Sequence, residues 1–412
     1  MVERTPWGNG IGIAGKKILF GVTGGIAAYK AAYYCRGLKG FGAEVSPVLT
    51  ENARRFVTEL TFSALSGVHA STGADAFDPG DPFYHIDLPR WADLFVICPA
   101  TANFIGKAAA GIADDLLSTM LLAYRGGAIF FPTMNGAMYE NPAVKRNIET
   151  LTSLGHTVVE PESGPMACGE EGRGRLVSFD AFIHAIQSAL LPKPLKQKKV
   201  LITAGPTREP IDPVRYISNR SSGKMGFELA WAAKSLGASV VLVSGPTCLS
   251  PPKVDKFVSV ETSEEMLNAV KMNKDRMDCI IMAAAVADFT PRERLDKKLK
   301  KDAVGDNGLT LSLQETTDIL DYILKNRSTK QCIVGFSAET GDLVKNALKK
   351  MEKKPVDIMV ANNVTEPGAG FDVDTNKITL IMGKTKQIEE LPIMHKADVA
   401  LRILHKVAEV LN

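Results

Sequence analysis

KILFGVTGGIAAYK, residues 17–30, decides how the first half of the chain is read. Its apolar opening predicts a strand over Lys17 to Val22, Gly24-Gly25 a turn, and the small and apolar residues that follow a helix over Ile26 to Lys39. A strand that turns on glycines into a helix presents amide N–H groups that can hold a phosphate. Taken alone, such a turn also serves as a plain connection. Working outward, further strands are predicted at Glu44 to Leu49, Leu94 to Cys98 and Ala128 to Phe131. Strands alternating with helices imply right-handed crossovers and a parallel sheet, which takes ligands at the carboxyl ends of its strands. PATANF (residues 99–104), DDLLST (114–119) and PTMNGAMYE (132–140) fall at such ends, and several loops converging on one edge imply a cofactor cleft.

The pattern breaks at SALLPKPLKQKK, residues 188–199, where two prolines and four lysines carry no apolar periodicity. A domain boundary there divides the chain into residues 1–190 and 191–412. A second strand–helix series follows: strands at Val200 to Thr203, Ser239 to Val243, Cys279 to Ala283, Cys332 to Phe336 and Val356 to Ala361, with a helix from about Lys224 to Leu236. AGPT (204–207) and SGPT (244–247) both follow strands, without a repeat period. The expected fold class is α/β in both halves.

Composition narrows the function. At 412 residues the chain exceeds one ordinary core, and 45% hydrophobic with 23% charged residues is that of a folded globular protein. A net charge of +3 gives no bulk attraction to nucleic acid, so any anion site is local. The longest apolar run, residues 279–287, is well short of the roughly 20 residues of a membrane span, and residues 1–15 lack a signal pattern, so a soluble, cytoplasmic protein is expected. Six scattered cysteines show neither zinc spacing nor a disulfide framework. No GxGxxG with an acidic residue about 20 positions on supports a nicotinamide site.

In combination the first-half motifs resemble the flavin-dependent cysteine decarboxylases, and specifically the decarboxylase half of bifunctional coenzyme A biosynthesis proteins. The resemblance rests on Pro132-Thr133-Met134-Asn135, His85-Ile86-Asp87-Leu88 and the glycine-rich segment SGPMACGEEGRGR (163–175). Tyr139 stands where relatives often carry Trp. The resemblance implies a flavodoxin-like domain holding FMN through Gly24, Gly25, Ile26, Thr50, Thr101, Asn103, Ser118 and Thr119. It implies that His85 is the base of a thiol oxidation, a role that suits an imidazole. Asn135 would hold the substrate carboxylate and Cys168 would protonate an enethiolate.

AGPTREPIDPVRYISNRSSGKMGFELA, residues 204–230, is the most distinctive stretch of the chain. Ser222-Gly223-Lys224 is not a P-loop, because the required glycine at position 218 is Ser. What remains is a Gly/Ser-rich loop that feeds a helix and resembles the phosphopantothenate-cysteine ligase domain. AAAVADF (283–289), KLKK (298–301), GFSAET (335–340) and residues 361–364 and 370–376 follow in family order. The resemblance implies a Rossmann-like ligase domain that activates phosphopantothenate with CTP as an acyl-cytidylate before cysteine attacks. Its CTP pocket would comprise Met282, Ala283, Ala284, Asp288, Lys298, Thr317, Asp318, Ile319, Phe336, Lys350 and Lys354, with Mg2+ held mainly by the phosphates and Asn219 on the acyl carbonyl. It also implies trimeric decarboxylase and dimeric ligase contacts, a dodecamer, with FMN at the trimer contact. The alternative weighed is a non-catalytic regulatory flavoprotein of the same fold, in which Asn135 and Cys168 would be dispensable.

Overall fold

Along Lys17–Val22 (β1), Ile18, Phe20 and Val22 enter one apolar cluster and Leu19 another, as the two-residue side-chain period of a strand buried on both faces requires. The computed structural model describes residues 10–77, 82–165, 169, 171–300, 309–339, 341–363, 366, 368–370 and 372–412. It divides into two units, residues 1–191 and 192–412.

In the first unit β1 is joined by Glu44–Leu49 (β2), Leu94–Ala100 (β3), Ile129–Pro132 (β4) and Thr157–Val158 (β5). The order is β2-β1-β3-β4-β5 and every pair is parallel, the flavodoxin-like arrangement, whose order reverses between β1 and β3. One face carries Phe20, Phe131, Phe179 and Phe182, and the other Phe95, Phe104 and Phe130. A hairpin of Glu162–Pro165 (β6) and Glu171–Arg175 (β7) follows.

The second unit contains Lys199–Ala204 (β8), Arg208–Pro210 (β9), Tyr216–Ser218 (β10), Ser239–Ser244 (β11), Lys256–Ser259 (β12), Cys279–Met282 (β13), Phe289–Pro291 (β14), Leu313–Glu315 (β15), Cys332–Glu339 (β16), Ile358–Asn363 (β17), Thr375–Asn376 (β18), Ile378–Met382 (β19), Ile388–Glu390 (β20) and Met394–His395 (β21). Its main sheet runs β12-β11-β8-β13-β16-β17-β19-β20. The first six strands are parallel, in the Rossmann order that reverses between β8 and β13, and β19 and β20 add an antiparallel edge. Among the described residues three short antiparallel ribbons, β9–β10, β14–β15 and β18–β21, stand apart from this sheet.

The amino edges of both sheets share one device. An aspartate just before or between strands accepts the first N–H groups of a neighbouring strand: Asp93 from Lys17 (2.9 Å), Asp278 from Lys199 (2.7 Å), Asp255 from Val240 (2.7 Å) and Asp357 from Ile333 (2.8 Å). Each satisfies a backbone donor that the parallel ladder leaves open. No helix among the described residues is long and apolar enough to cross a membrane.

Candidate active sites

The reversal of strand order in the first unit opens a cavity of about 920 Å3. Thr23, at the end of β1, donates its hydroxyl to the Pro99 carbonyl (2.8 Å) and accepts the Thr101 N–H (3.0 Å), which ties the two central strand ends together. Thr50 and Thr101 are N-caps, accepting the N–H groups of Ala53 (3.3 Å) and Phe104 (3.4 Å). A Cβ on Gly24 would lie 2.4 Å from that of Asn52, so the turn closes only on glycine.

Gly24, Gly25, Ile26, Thr50, Thr101, Asn103 and Asn135 all line this cavity. Asn135 caps the helix Gly136–Glu140, accepting the Ala137 N–H at 2.8 Å. The hairpin seats the preceding residue, since Met134 N–H donates to the Gly174 carbonyl at 3.0 Å. Ser118 and Thr119 do not line the cavity. Their hydroxyls bond Asp115, which caps the helix Leu116–Ala123 and lines the cavity beside Asp114 and Lys107. The DDLLST motif thus places its carboxylates, not its hydroxyls, on the cavity wall. Lys107 bonds Asp114 at 2.7 Å, an ion pair that raises its pKa.

Lys30 and Arg175 also line the cavity. Partial burial and the Arg175 charge push the Lys30 ammonium below its ordinary range. Sequence reasoning missed Thr23, Lys30 and Arg175. The first two stand inside GVTGGIAAYK, where a hydroxyl at the strand end and a lysine one turn into the helix were available signals. His85 sits half-buried on the helix Tyr84–Trp91 and does not line this cavity within one chain. Cys168 lies outside the described residues.

The donor set suits FMN. Hydroxyls, amides and the helix starts at Ala28, Glu51 and Ala102 suit phosphate and sugar oxygens, and Ile26, Phe104, Met134 and Met138 give apolar wall for a ring system.

In the second unit a cleft of about 330 Å3 opens beyond β13 and β16. It is lined by Met282, Ala284, Asp288, Thr317, Asp318, Ile319, Phe336, Lys350 and Lys354, and also by Val286, Phe289, Glu315, Thr316 and Leu320, which sequence reasoning did not single out. Main-chain ties shape its floor. Thr203 and Thr207 accept the N–H groups of Ala284 (3.2 Å) and Ala287 (3.0 Å), and the Thr316 hydroxyl donates to the Ala287 carbonyl (2.7 Å).

Lys350 comes from the helix Leu343–Lys353, and Lys354 caps that helix. Burial, and then the charge of Lys354, lower the pKa of Lys350. Lys354 is paired with Asp318, the N-cap of the helix Ile319–Lys325. Partial burial raises the Asp318 carboxyl, but Lys354 and the Asp321 N–H more than offset it and hold it below the usual range. Lysines beside Asp288, Glu315 and Asp318 match a ligand with both phosphate charge and sugar hydroxyls.

Asn219 does not line the cleft but donates its Nδ2 to the carbonyl of Val286, which does, at 2.8 Å. Ala283 and Lys298 do not line it either. Lys298 is exposed on a segment outside any helix or strand. Among the described residues no group of three or more His, Cys, Asp or Glu side chains is placed to hold a metal.

Residues 12–191 match the family described as Flavoprotein, and residues 195–411 match the DNA/pantothenate metabolism flavoprotein C-terminal domain. The chain is 46% identical to the coenzyme A biosynthesis bifunctional protein CoaBC of Bacillus subtilis, across 95% of this chain and 97% of that one. The Escherichia coli K12 protein of that name is 40% identical across 96% and 97%. The solved C-terminal domain of a CoaBC protein is 38% identical, with a TM-score of 0.45, covering 53% of this chain and 98% of its own. With both halves matched in order and relatives aligned over nearly all of their length, this chain belongs to the CoaBC family of bifunctional coenzyme A biosynthesis proteins.

Proposed function

We propose that the chain makes phosphopantetheine in two steps, with residues 191–412 joining phosphopantothenate to cysteine at the expense of CTP and residues 1–190 decarboxylating the product with FMN. The observation that carries this reading is that each unit has a cleft of its own, the first lined by Gly24, Thr101 and Asn135 and the second by Asp288, Lys350 and Lys354.

In the ligation, the phosphopantothenate carboxylate attacks the α-phosphorus of CTP, pyrophosphate leaves, and the cysteine amine displaces CMP from the acyl-cytidylate. Lys350, Lys354 and Lys298 meet the phosphate charge, and Mg2+ carried by the phosphates supplies further neutralisation. Asn219 places a neutral amide where negative charge grows on the acyl oxygen, without becoming a nucleophile.

In the decarboxylation, FMN held by Gly24, Thr50, Thr101 and Asn103 would supply a reversible two-electron acceptor, through which the substrate thiol can reach the thioaldehyde level that stabilises loss of CO2. His85 takes the proton released in the oxidation, Asn135 holds the departing carboxylate, and Cys168 gives its thiol proton to the enethiolate. Because His85 lies off the cavity of its own chain, a second copy is proposed to bring its His85 to the cavity mouth, in a trimer. Ile26, Tyr29 and Met138 line that mouth and are each about half or more exposed (60%, 61% and 49%), as a surface covered by another copy requires. Dimeric contacts through the ligase half would complete a dodecamer in the cytoplasm.

The test is direct. The purified full chain should show flavin absorbance, release pyrophosphate only with phosphopantothenate and CTP present, and release CO2 only after cysteine is added. A colourless protein, or CO2 release that does not depend on CTP when phosphopantothenate and cysteine are the only substrates given, would overturn the assignment.

A further inference from the structure

Residues 292–300 belong to no helix or strand, and Lys297, Lys298 and Lys300 are exposed there. Such a segment loses backbone and side-chain freedom whenever a lysine on it must meet a phosphate. Yet one point along it is held firmly. The turn between β9 and β10 carries Asp212, only 2% exposed, and its carboxylate accepts three hydrogen bonds and pairs with one guanidinium. Oδ1 takes the N–H groups of Val214 (2.7 Å) and Arg215 (2.8 Å), and Oδ2 takes the N–H of Leu299 (3.2 Å) and forms an ion pair with the Arg215 guanidinium (3.1 Å). The same guanidinium donates to the Leu299 carbonyl. A second tie, from Leu295 N–H to the Ile211 carbonyl (2.9 Å), runs alongside.

We infer that Asp212 is a positioning residue of the ligation: with Arg215 it clamps both backbone groups of Leu299 and thereby fixes Lys298 to the ribbon that carries Asn219. The inference rests on the reading of Lys298 as a phosphate-binding lysine. Ribbon β9–β10 runs straight into Asn219, whose amide holds the Val286 carbonyl at the cleft wall. One element therefore grips the cleft with its last residue and the lysine segment with its turn. The group meant for the acyl oxygen and the group meant for the triphosphate acquire a common frame, although they lie far apart in sequence.

The chemistry of Asp212 fits a clamp and no other task. With three N–H donors and a guanidinium around its two oxygens, and the side chain buried, it is committed to the backbone rather than to substrate. Burial pushes its carboxyl up, but the N–H groups of Val214, Leu299 and Arg215 and the guanidinium more than offset this and keep it below the ordinary carboxylate range. It stays ionised across the neutral range. An ion pair whose arginine is partly exposed adds little to the stability of a turn. Here it is aimed at the backbone of a segment that has no other regular partner.

The test is a double-mutant cycle in the full chain, read as pyrophosphate release from CTP and phosphopantothenate. Lys298→Gln should slow release strongly, and Asp212→Asn, which turns an N–H donor toward the Leu299 N–H, should slow it on the order of tenfold. The double variant should be no slower than Lys298→Gln alone, within about twofold, because both remove one function. Leu299→Pro deletes the clamped N–H and leaves the carboxylate in place. It should reproduce the Asp212→Asn rate, and it decides the matter if Asp212→Asn does not fold as judged by circular dichroism. Defects of Asp212→Asn or Leu299→Pro that multiply with that of Lys298→Gln would overturn the clamp while leaving Lys298 in its role. A wild-type rate for Lys298→Gln removes the reading of Lys298, and the inference with it.

Discussion

The ammonium of Lys350 lies 3.3 Å from both the carbonyl oxygen of Phe336 and the hydroxyl of Ser337, so a helix and the neighbouring strand are bound together at the wall of the second unit's cleft. Its charge is maintained against burial, and the folded-state pKa is lowered. The ammonium is thus lost as pH rises through a value below that of an ordinary lysine. CTP affinity should fall over this alkaline interval, earlier than exposed lysines would cause. Lys350→Gln should bind CTP on the order of tenfold more weakly, the scale of one charge-assisted contact, and show a flatter pH profile. Isothermal titration of CTP across alkaline pH checks both.

A second lysine makes a stability prediction. Lys396 is 4% exposed, and its Nζ lies against the carbonyls of Val373 (2.5 Å) and Gly370 (3.3 Å). Burial, then the nearby Lys224 charge, bring its pKa from 10.5 to about 8, against the opposite pull of Asp374, Asp372 and Glu228. Between these two values the unfolded chain binds a proton that the folded chain has released, so unfolding free energy climbs with pH over that window. The gap corresponds to about 3 kcal/mol. Lys396→Met should lack this climb, and the difference between the two proteins in urea midpoint at pH 7.5 and pH 10.5 measures it.

Gly174 makes a packing prediction. Its φ is +148°, and a Cβ there would stand 2.1 Å from the Met134 carbonyl oxygen. Gly174→Ala must break the bond that seats Met134 and shift Asn135 with it, at a cost of about 1–3 kcal/mol of strain. Weaker retention of flavin on gel filtration, together with a lower decarboxylation rate, is the expected outcome.

For Cys168 the expectation concerns the order of steps. Cys168→Ser should still release CO2 and leave the flavin bleached, stalled before the substrate is reduced. Asn135→Asp, which sets an anion against the substrate carboxylate, should fail before CO2 is lost. Stopped-flow absorbance with phosphopantothenoylcysteine distinguishes them, and normal yields of phosphopantetheine from Cys168→Ser would remove it as proton donor.

Asn219 and Lys298 should fail at different points of the ligation. Lys298→Gln should slow pyrophosphate release by roughly a hundredfold, the scale of a lost transition-state contact of about 3 kcal/mol. Asn219→Asp should leave CTP affinity nearly intact and reduce overall ligation. Loss of CTP affinity in Asn219→Asp, with affinity and pyrophosphate release retained in Lys298→Gln, would reverse the two assignments.

Where regularity is local, it was legible in the sequence. Lys17–Val22 and the helix beginning at Lys224 stand where their apolar periodicity places them, because burial on a sheet face or a helix stripe writes itself into every second or every third and fourth residue. The helix expected from Ile26 begins instead at Ala28, after a turn. Strands of three residues such as β9, β14 and β20 span less than two periods and leave no such signature. The site was less legible for a different reason. Ser118 and Thr119 have the right chemistry for a phosphate, but a capping box takes the Ser118 hydroxyl and the Asp115 carbonyl that of Thr119, and sequence spacing does not say which of two neighbouring polar residues faces inward. Leu299, beside Lys298, is bonded to a turn that precedes it by many residues, so no local pattern could report how far Lys298 lies from the cleft.

The aspartates on the amino edges have a consequence for how such a protein can change. Asp93, Asp278, Asp255 and Asp357 secure strand beginnings, whereas the ligand-lining residues gather at the opposite, carboxyl ends of the strands. Strand length separates the two groups, and residues that far apart contribute to free energy nearly independently. Variation that retunes what is bound need not loosen what holds the sheet, and drift at the anchoring edge need not touch specificity. A lineage carrying this architecture can therefore explore new ligands with its melting behaviour largely intact.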